Sequence, residues 1–415
     1  MKLFPKRKII SSVKIFFSAV VLAFFFASGM ALATNGDNLI GIGPISRAMG
    51  GVGIAMPQDP LSAVFANPAA MCHAAYCPGS EAEFAGTVFI PVVTASVQSP
   101  QLGVDAGARS QAKPFIIPAV AIAEPLGRRW RFAFAAYGVS GLGVDYRDRM
   151  GLAPVNGSDS VFTQYSVMKF APNIAYEVTD RFSLGASLQL DYASLDMGGG
   201  SSPAYALGAQ AGALYRAKPF AAGFSYTSPQ NIRHERVVNS QNDFKLDEPQ
   251  TAGLGIAWFR GDFIIEADIK WIDWGGAAGY NDMDWSDQWV YALGAQVSPF
   301  KKIKFRAGVN YGANPIRTHN GFDASSTINV QGTVMPRFNY ESLRIIGFPA
   351  IAETHITAGM EYCASRSVNV DVGYMHAFKN SISETGVNWL GAGNQVKLGS
   401  AMYEDSIDFG VTWRF

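Results

Sequence analysis

The feature that most constrains this chain is a series of short segments in which apolar and polar residues alternate. Residues 406–415, SIDFGVTWRF, place Ile407, Phe409, Val411, Trp413 and Phe415 on one face and Ser406, Asp408, Gly410, Thr412 and Arg414 on the other. Successive side chains of an extended strand point to opposite faces, so such a segment has one greasy and one wet surface. FIIEADIKW repeats the pattern, with Phe263, Ile265, Ala267, Ile269 and Trp271 opposite Glu266, Asp268 and Lys270. KIKFRAGVNY does so again, with Ile303, Phe305, Ala307, Val309 and Tyr311 opposite Lys304, Arg306 and Asn310. About ten residues is the length a tilted strand needs to cross a bilayer. The apolar faces therefore read as lipid-facing and the polar faces as lumen-facing.

Segments of this kind fall at residues 83–98, 114–123, 129–140, 164–177, 180–194, 203–216, 219–228, 248–259, 262–272, 287–298, 301–312, 353–363, 366–377 and 402–415. They make about 14 strands, an even number as a closed single-chain bacterial barrel requires, and closure leaves no strand edge unpaired in lipid. The fold class is all-β, a transmembrane antiparallel β-barrel. Its links alternate in length: EPLGRR, VTDR, AKP, RGD, SPFK and ASRS are short, whereas 99–113, 141–163, 195–202, 229–247, 273–286, 313–352 and 378–401 are long. Short turns face the periplasm and long loops the exterior in such barrels, so both ends of the barrel domain lie on the periplasmic side. Trp130, Tyr176, Tyr192, Tyr226, Trp258, Trp271 and Trp413 fall near strand ends, where aromatic girdles belong.

Residues 1–33 begin MKLFPKRK, run through an apolar stretch and end at Ala31-Leu32-Ala33, the pattern of a cleaved secretory signal peptide. Cleavage would remove Lys2, Lys6, Arg7, Lys8 and Lys14, leaving 28 basic against 33 acidic residues and a net charge of −5. An exported, mildly acidic chain is a poor nucleic-acid binder. Cys72 and Cys77 are spaced to close a small disulfide loop in an oxidising periplasm, with Cys363 left single. No metal-ligand spacing, nucleotide loop or nucleophile–base motif is present in the sequence, so no cofactor, metal or catalytic role is expected.

Residues 34–81 do not alternate. Asp59-Pro60 is a helix start, with a capping carboxylate followed by proline at the first helical position, and Pro68 forces that helix to end. Asn67-Pro68-Ala69 repeats the device. A compact plug of short helices and glycine turns, sized for a barrel mouth, is the expectation for this domain, ahead of a barrel domain at 82–415.

The run NLIGIGPISRAMGGVGIAMPQDPLSAVFANPAAM resembles the N-terminal hatch of the FadL/TodX family of outer-membrane transporters, and Asn67-Pro68-Ala69 matches that family's hatch motif. Residues 347–355, GFPAIAETH, resemble the family segment leading from a long external loop into a late strand. The resemblance implies a monomeric barrel in the Gram-negative outer membrane that takes up long-chain fatty acids or aromatic hydrocarbons. It also implies a lumenal pocket and sideways release into lipid at a kinked third strand. The C-terminal strand ending at Phe415 would be the signal read by barrel-assembly machinery. A general diffusion porin for polar solutes is the alternative, against which the plug argues.

Three candidate sites follow. Asn67, Pro68 and Ala69 are either a gate or a turn that holds the plug together. Gly138, Gly141 and Gly143, at the end of the third strand, mark either a break in the wall or the start of an external loop. The inward charges Glu266, Asp268, Lys270, Lys304, Arg306, Glu361, Asp371 and Asp408 are expected to neutralise one another, with Lys270, Lys304 or Arg306 as the candidate to hold a substrate carboxylate.

Overall fold

The computed structural model describes residues 34–71, 79–112, 114–147, 161–238 and 242–415; the signal-peptide reading of residues 1–33 and the Cys72–Cys77 pair lie outside them. Alternation is realised as fourteen wall strands: β1 Glu81–Ser99, β2 Phe115–Leu126, β3 Trp130–Asp145, β4 Phe162–Thr179, β5 Phe182–Asp196, β6 Ser202–Ala217, β7 Phe220–Thr227, β8 Thr251–Arg260, β9 Phe263–Ile272, β10 Gln288–Phe300, β11 Ile303–Gly312, β12 Thr354–Cys363, β13 Val368–Val387 and β14 Val396–Arg414. Each pairs antiparallel with the next, and β14 closes on β1 from Glu81↔Arg414 to Gln98↔Lys397. Two short strands, Val104–Arg109 and Phe322–Asp323, extend the sheet beyond the wall.

The facing is as the sequence predicts. Ile407, Phe409, Val411 and Trp413 are exposed on the outside, whereas Ser406, Asp408 and Thr412 are buried in the lumen. Aromatic pairs band the outside near both ends, among them Trp130 with Tyr176 and Tyr192 with Tyr205. Two regions differ by five residues or more, and in the first of them β3 runs on to Asp145, paired with Phe162, where the loop 141–163 was expected. Residues expected in the loop 378–401 continue the β13–β14 ladder as far as Gly386↔Val396. Their outward positions are Ser381, Ser383 and Thr385, so the extension carries no apolar face for lipid to reveal it and stands above the bilayer. The other long loops also hold structure: a hairpin pairs Arg233–Val238 with Asn242–Lys245, and a second pairs Thr327–Val330 with Thr333–Pro336 ahead of a short helix, Arg337–Ser342.

Residues 34–71 sit inside the barrel. They form two short helices, α1 Gly43–Ala48 and α2 Pro60–Ala66, and a 3-10 turn, Pro68–Met71. The α2 start is the one expected: Asp59 Oδ1 accepts from Ser62 N at 2.7 Å, with Pro60 next in line. The wall admits this plug through inward-facing glycines that pair across strands, Gly185 with Gly212, Gly223 with Gly255, Gly294 with Gly308 and Gly359 with Gly373. At Gly308 the plug backbone lies so close that an added Cβ would sit 2.2 Å from the carbonyl carbon of Met49.

Gly308→Val is therefore expected to displace the plug while leaving the barrel closed, at a cost of about 1–3 kcal/mol for overpacking. The barrel would keep its heat-modifiable mobility on gels, and residues 34–71 would become protease-sensitive. Unchanged protection would contradict the close packing.

Candidate functional site

A plug built largely of loops carries backbone N–H and C=O groups into the lumen, and buried groups of this kind need partners. The wall supplies them. Asp268 Oδ2 accepts from Gly53 N at 3.0 Å and Ile54 N at 3.2 Å; Glu266 Oε1 accepts from Ala55 N at 2.7 Å and Met56 N at 2.9 Å. Gly50 N donates to Thr357 Oγ1 at 2.9 Å, and Asn310 Nδ2 donates to Gly50 O at 3.0 Å. The plug returns one cation: the buried Arg47 donates through Nε to Asp408 at 2.7 Å and through its NH2 nitrogen to Ser406 Oγ at 2.7 Å. Charge-assisted bonds of this type are the strong ones, and here they fix the plug to β9 and β14.

This arrangement divides the inward charges differently from expectation. Lys304, Arg306, Glu361 and Asp371 do neutralise one another: Lys304 pairs with Glu361 at 2.7 Å, Arg306 with Asp371 at 2.8 Å, and Arg306 also with Glu361 and, at 2.7 Å, with Gln296. That cluster lies next to the short turn between β10 and β11, at the periplasmic end, and neither Lys304 nor Arg306 lines the main cavity. Glu266, Asp268 and Asp408 hold the plug instead. Lys270 alone of the three cations reaches the cavity, with Nζ 5.8 Å from the centroid of the Phe65 ring and donating to Gly51 O at 3.2 Å.

Asn67, Pro68 and Ala69 are buried against β5, β6 and β7. Asn67 Nδ2 donates to Ile54 O at 2.7 Å and to Ala213 O at 3.1 Å, and its Oδ1 accepts from Ala69 N at 3.0 Å. Ser183 Oγ holds Ala69 O at 2.8 Å. The triplet thus ties the C-terminal end of the plug to its middle at Ile54 and to the wall.

Above it lies a cavity with about 770 Å³ of empty space, part of it open to solvent. Phe65, Leu39 and Ile54 of the plug and Tyr137, Val139 and Ile272 of the wall line it, and Lys169, Gln189, Gln230 and Glu248 add polar groups. Phe65 and Tyr137 meet edge to face at 5.9 Å. An apolar cavity with a few polar groups is the usual form of a small-molecule site.

The third strand breaks the wall beside this cavity. β3 pairs with β2 only from Leu126↔Trp130 to Ala119↔Tyr137, and above that point it shifts register against β4 between Gly138 and Ser140. The edge of β3 is taken over by the plug: Leu39 N donates to Val139 O at 2.9 Å, and Gly141 N donates to Asp37 O at 3.1 Å. Backbone hydrogen bonding between the two sides resumes where Gln111 N donates to Asp145 O at 2.7 Å; in between, Ile117 and Phe115 pack over Gly138 and Gly143. Residues 115–118 of β2 include Pro118, which has no N–H to offer a ladder. Gly138 therefore borders a bulge at Val139, and Gly141 and Gly143 continue the strand in register with β4 and do not start a loop. Gly141 and Gly143 line a second cavity at this window, with Phe115, Pro349, Asp37 and Glu404.

The external loops reach the same place. Trp274, Tyr280 and Trp285 are buried and packed together at 4.5 to 5.2 Å, and Tyr280 OH donates to Asp37 Oδ2 at 2.5 Å. Trp274 covers Gly36. Sequence reasoning missed Arg47, Asp37 and this aromatic group. Arg47 was available as the lone cation in a glycine-rich run; the aromatic residues of 273–286 read only as loop.

The family profile described as outer membrane protein transport protein (OMPP1/FadL/TodX) matches residues 18–259, more than half of the chain. The chain belongs to that family. The protein is accordingly an outer-membrane transport barrel. Among solved structures it is similar to the toluene transporter TodX of P. putida, with a TM-score of 0.65 at 17% identity over 90% of this chain and 99% of that one. A Pseudomonas aeruginosa FadL homologue gives 0.66 at 16% identity over 93% and 100%, and the Ralstonia pickettii toluene transporter TbuX gives 0.63 at 19% over 90% and 98%. At such identities the likeness is one of fold. None of the curated proteins matches the chain in sequence.

Burial pushes the Asp37 carboxyl up to about 6, opposed by the hydrogen bond from Tyr280. A raised carboxyl pKa favours the docked plug fully below the free value of 3.8 and loses that contribution as pH rises through about 6. Hydrogen-exchange protection of residues 36–39, corrected for intrinsic rates, is expected to fall between pH 4 and 6. In Asp37→Asn that part of the fall should disappear; an identical profile would contradict the assignment.

Proposed function

We propose that this chain carries small hydrophobic compounds from the exterior to the cavity above the plug and releases them sideways into the membrane between β2 and β3. The observation behind this reading is the interrupted β2–β3 ladder, whose open edge is occupied by residues 37–39 of the plug. Leu39 lines the cavity and Asp37 the window, so a shift of one short segment connects the two. A greasy solute gains by staying on apolar surface instead of crossing water, which a lateral exit permits. TodX and TbuX are toluene transporters by name, and the FadL/TodX resemblance extends the cargo to long-chain fatty acids and other aromatic hydrocarbons.

In this reading the chain divides into a signal peptide at 1–33, a plug at 34–81 and a barrel at 82–415, works as a monomer without catalysis, and is inserted through recognition of its last strand. Asn67-Pro68-Ala69 is the rigid base against which the 37–39 segment moves. A general diffusion porin accords poorly with a plug bonded to the wall on several sides.

A reversible cross-link tests the exit. A Cβ on Gly138 would lie 3.9 Å from Ile117 Cβ, within the range of about 3.5–4.5 Å typical of disulfides. In intact cells, whose outer leaflet resists hydrophobic solutes, I117C/G138C is expected to lose most toluene uptake when oxidised and recover it on reduction. Equal uptake in both states would sink the lateral route.

A further inference from the structure

The cavities along this route are unevenly supplied with polar atoms. Among the described residues, Glu248 Oε1, Gln189 Oε1, Asn35 Oδ1 and Asn38 Oδ1 line the main cavity without a hydrogen-bond partner of good geometry, the Ser140 hydroxyl, itself unpaired, lying near Glu248 and Asp37; Glu248 and Gln189 are almost wholly buried. Asp37 Oδ1 and Glu404 Oε2 do the same at the window. All six are acceptors. The Tyr137 hydroxyl, also in the main cavity, is unpartnered as well. The cations are otherwise engaged: Lys169 Nζ is held by Asp191 at 2.9 and 3.0 Å and by Gln230, and Lys270 by Gly51 O and the Phe65 ring.

Buried acceptors without partners are costly unless a ligand supplies donors. A carboxylate ligand would bring further acceptors and no donor to these atoms, in the cavity and again at the window. An ammonium ligand would meet Lys169 and Lys270. A plain hydrocarbon would leave every one of these atoms unpaired. We infer that, within the transport reading above on which this rests, the preferred cargo is a neutral apolar molecule bearing a hydroxyl group, an alkylphenol or similar alcohol, whose O–H donates to Glu248. Its apolar body lies against the Phe65–Tyr137 pair, and its oxygen can accept from the Tyr137 hydroxyl. Burial pushes the Glu248 carboxyl up to about 8, and a hydroxyl, which both donates and accepts, suits either of its protonation states.

The test is uptake by intact cells of four probes with one alkyl chain: 4-butylphenol, butylbenzene, 4-butylbenzoate and 4-butylbenzylammonium. Wild type is expected to raise butylphenol uptake over empty-vector cells at least fivefold more than that of any other probe. Glu248→Leu should remove that preference, so that butylphenol uptake falls at least fivefold relative to butylbenzene, while Glu248→Gln, which keeps an acceptor oxygen, should restore at least half of it. Equal uptake of phenol and hydrocarbon, preference for either ion, or a parallel loss of all probes in Glu248→Leu would overturn the inference while leaving hydrophobic transport standing. Uptake of none of the four above vector level would overturn the transport reading itself.

Discussion

The structure depends on how a plug with little regular secondary structure is accommodated inside a barrel. Two short helices and a set of turns leave backbone amides that water cannot serve once the plug is seated. Asp268 and Glu266 accept four of them, and Asn310, Thr357 and Lys270 serve others. The inward glycines let the plug come near enough for these bonds to form. Barrel and plug are thus complementary in two currencies, hydrogen-bond polarity and steric room, and the charges that look from sequence like a pore lining are mostly structural.

The same seating leaves one region less firmly built. Where residues 37–39 replace β2 as the partner of β3, the wall is held by two plug–strand hydrogen bonds and by the packing of Ile117 and Phe115 on Gly138 and Gly143, between its last β2–β3 pair and the hydrogen bond at Gln111. A short edge held by few bonds is where local opening costs least. External loops, through Trp274 and Tyr280, rest on the same segment, so events outside can bear on the window without passing through the rest of the plug.

Much of the wall was legible because lipid imposes a strict rule: an outward apolar residue at every second position, over a fixed length. All fourteen strands were found by it, and the largest boundary errors, in β13 and β14, lie where Ser381, Ser383 and Thr385 escape the rule above the bilayer; the end of β3, rich in glycine, was set five residues short. The Asp59 cap and the Asn67-Pro68 turn were legible because they are local. The partners of Glu266 and Asp268 were not, since they are backbone amides about 210 residues away that carry no side-chain signature. Gly308 and its neighbours were invisible for a related reason: a glycine records room for something without saying what fills it. Gly138 announced a bend, but not that the plug would mend the gap.

The direct measurement is where a hydrophobic solute touches the protein on its way through. Photoactivation of a diazirine-bearing alkylbenzene bound to the barrel in lipid, followed by peptide mapping, reads this. Lateral release requires labels on the cavity and window, at residues 37–39, 115–118 and 139–144. Labels concentrated instead around Arg306, Glu361 and the periplasmic end of the plug would show an axial path and contradict it.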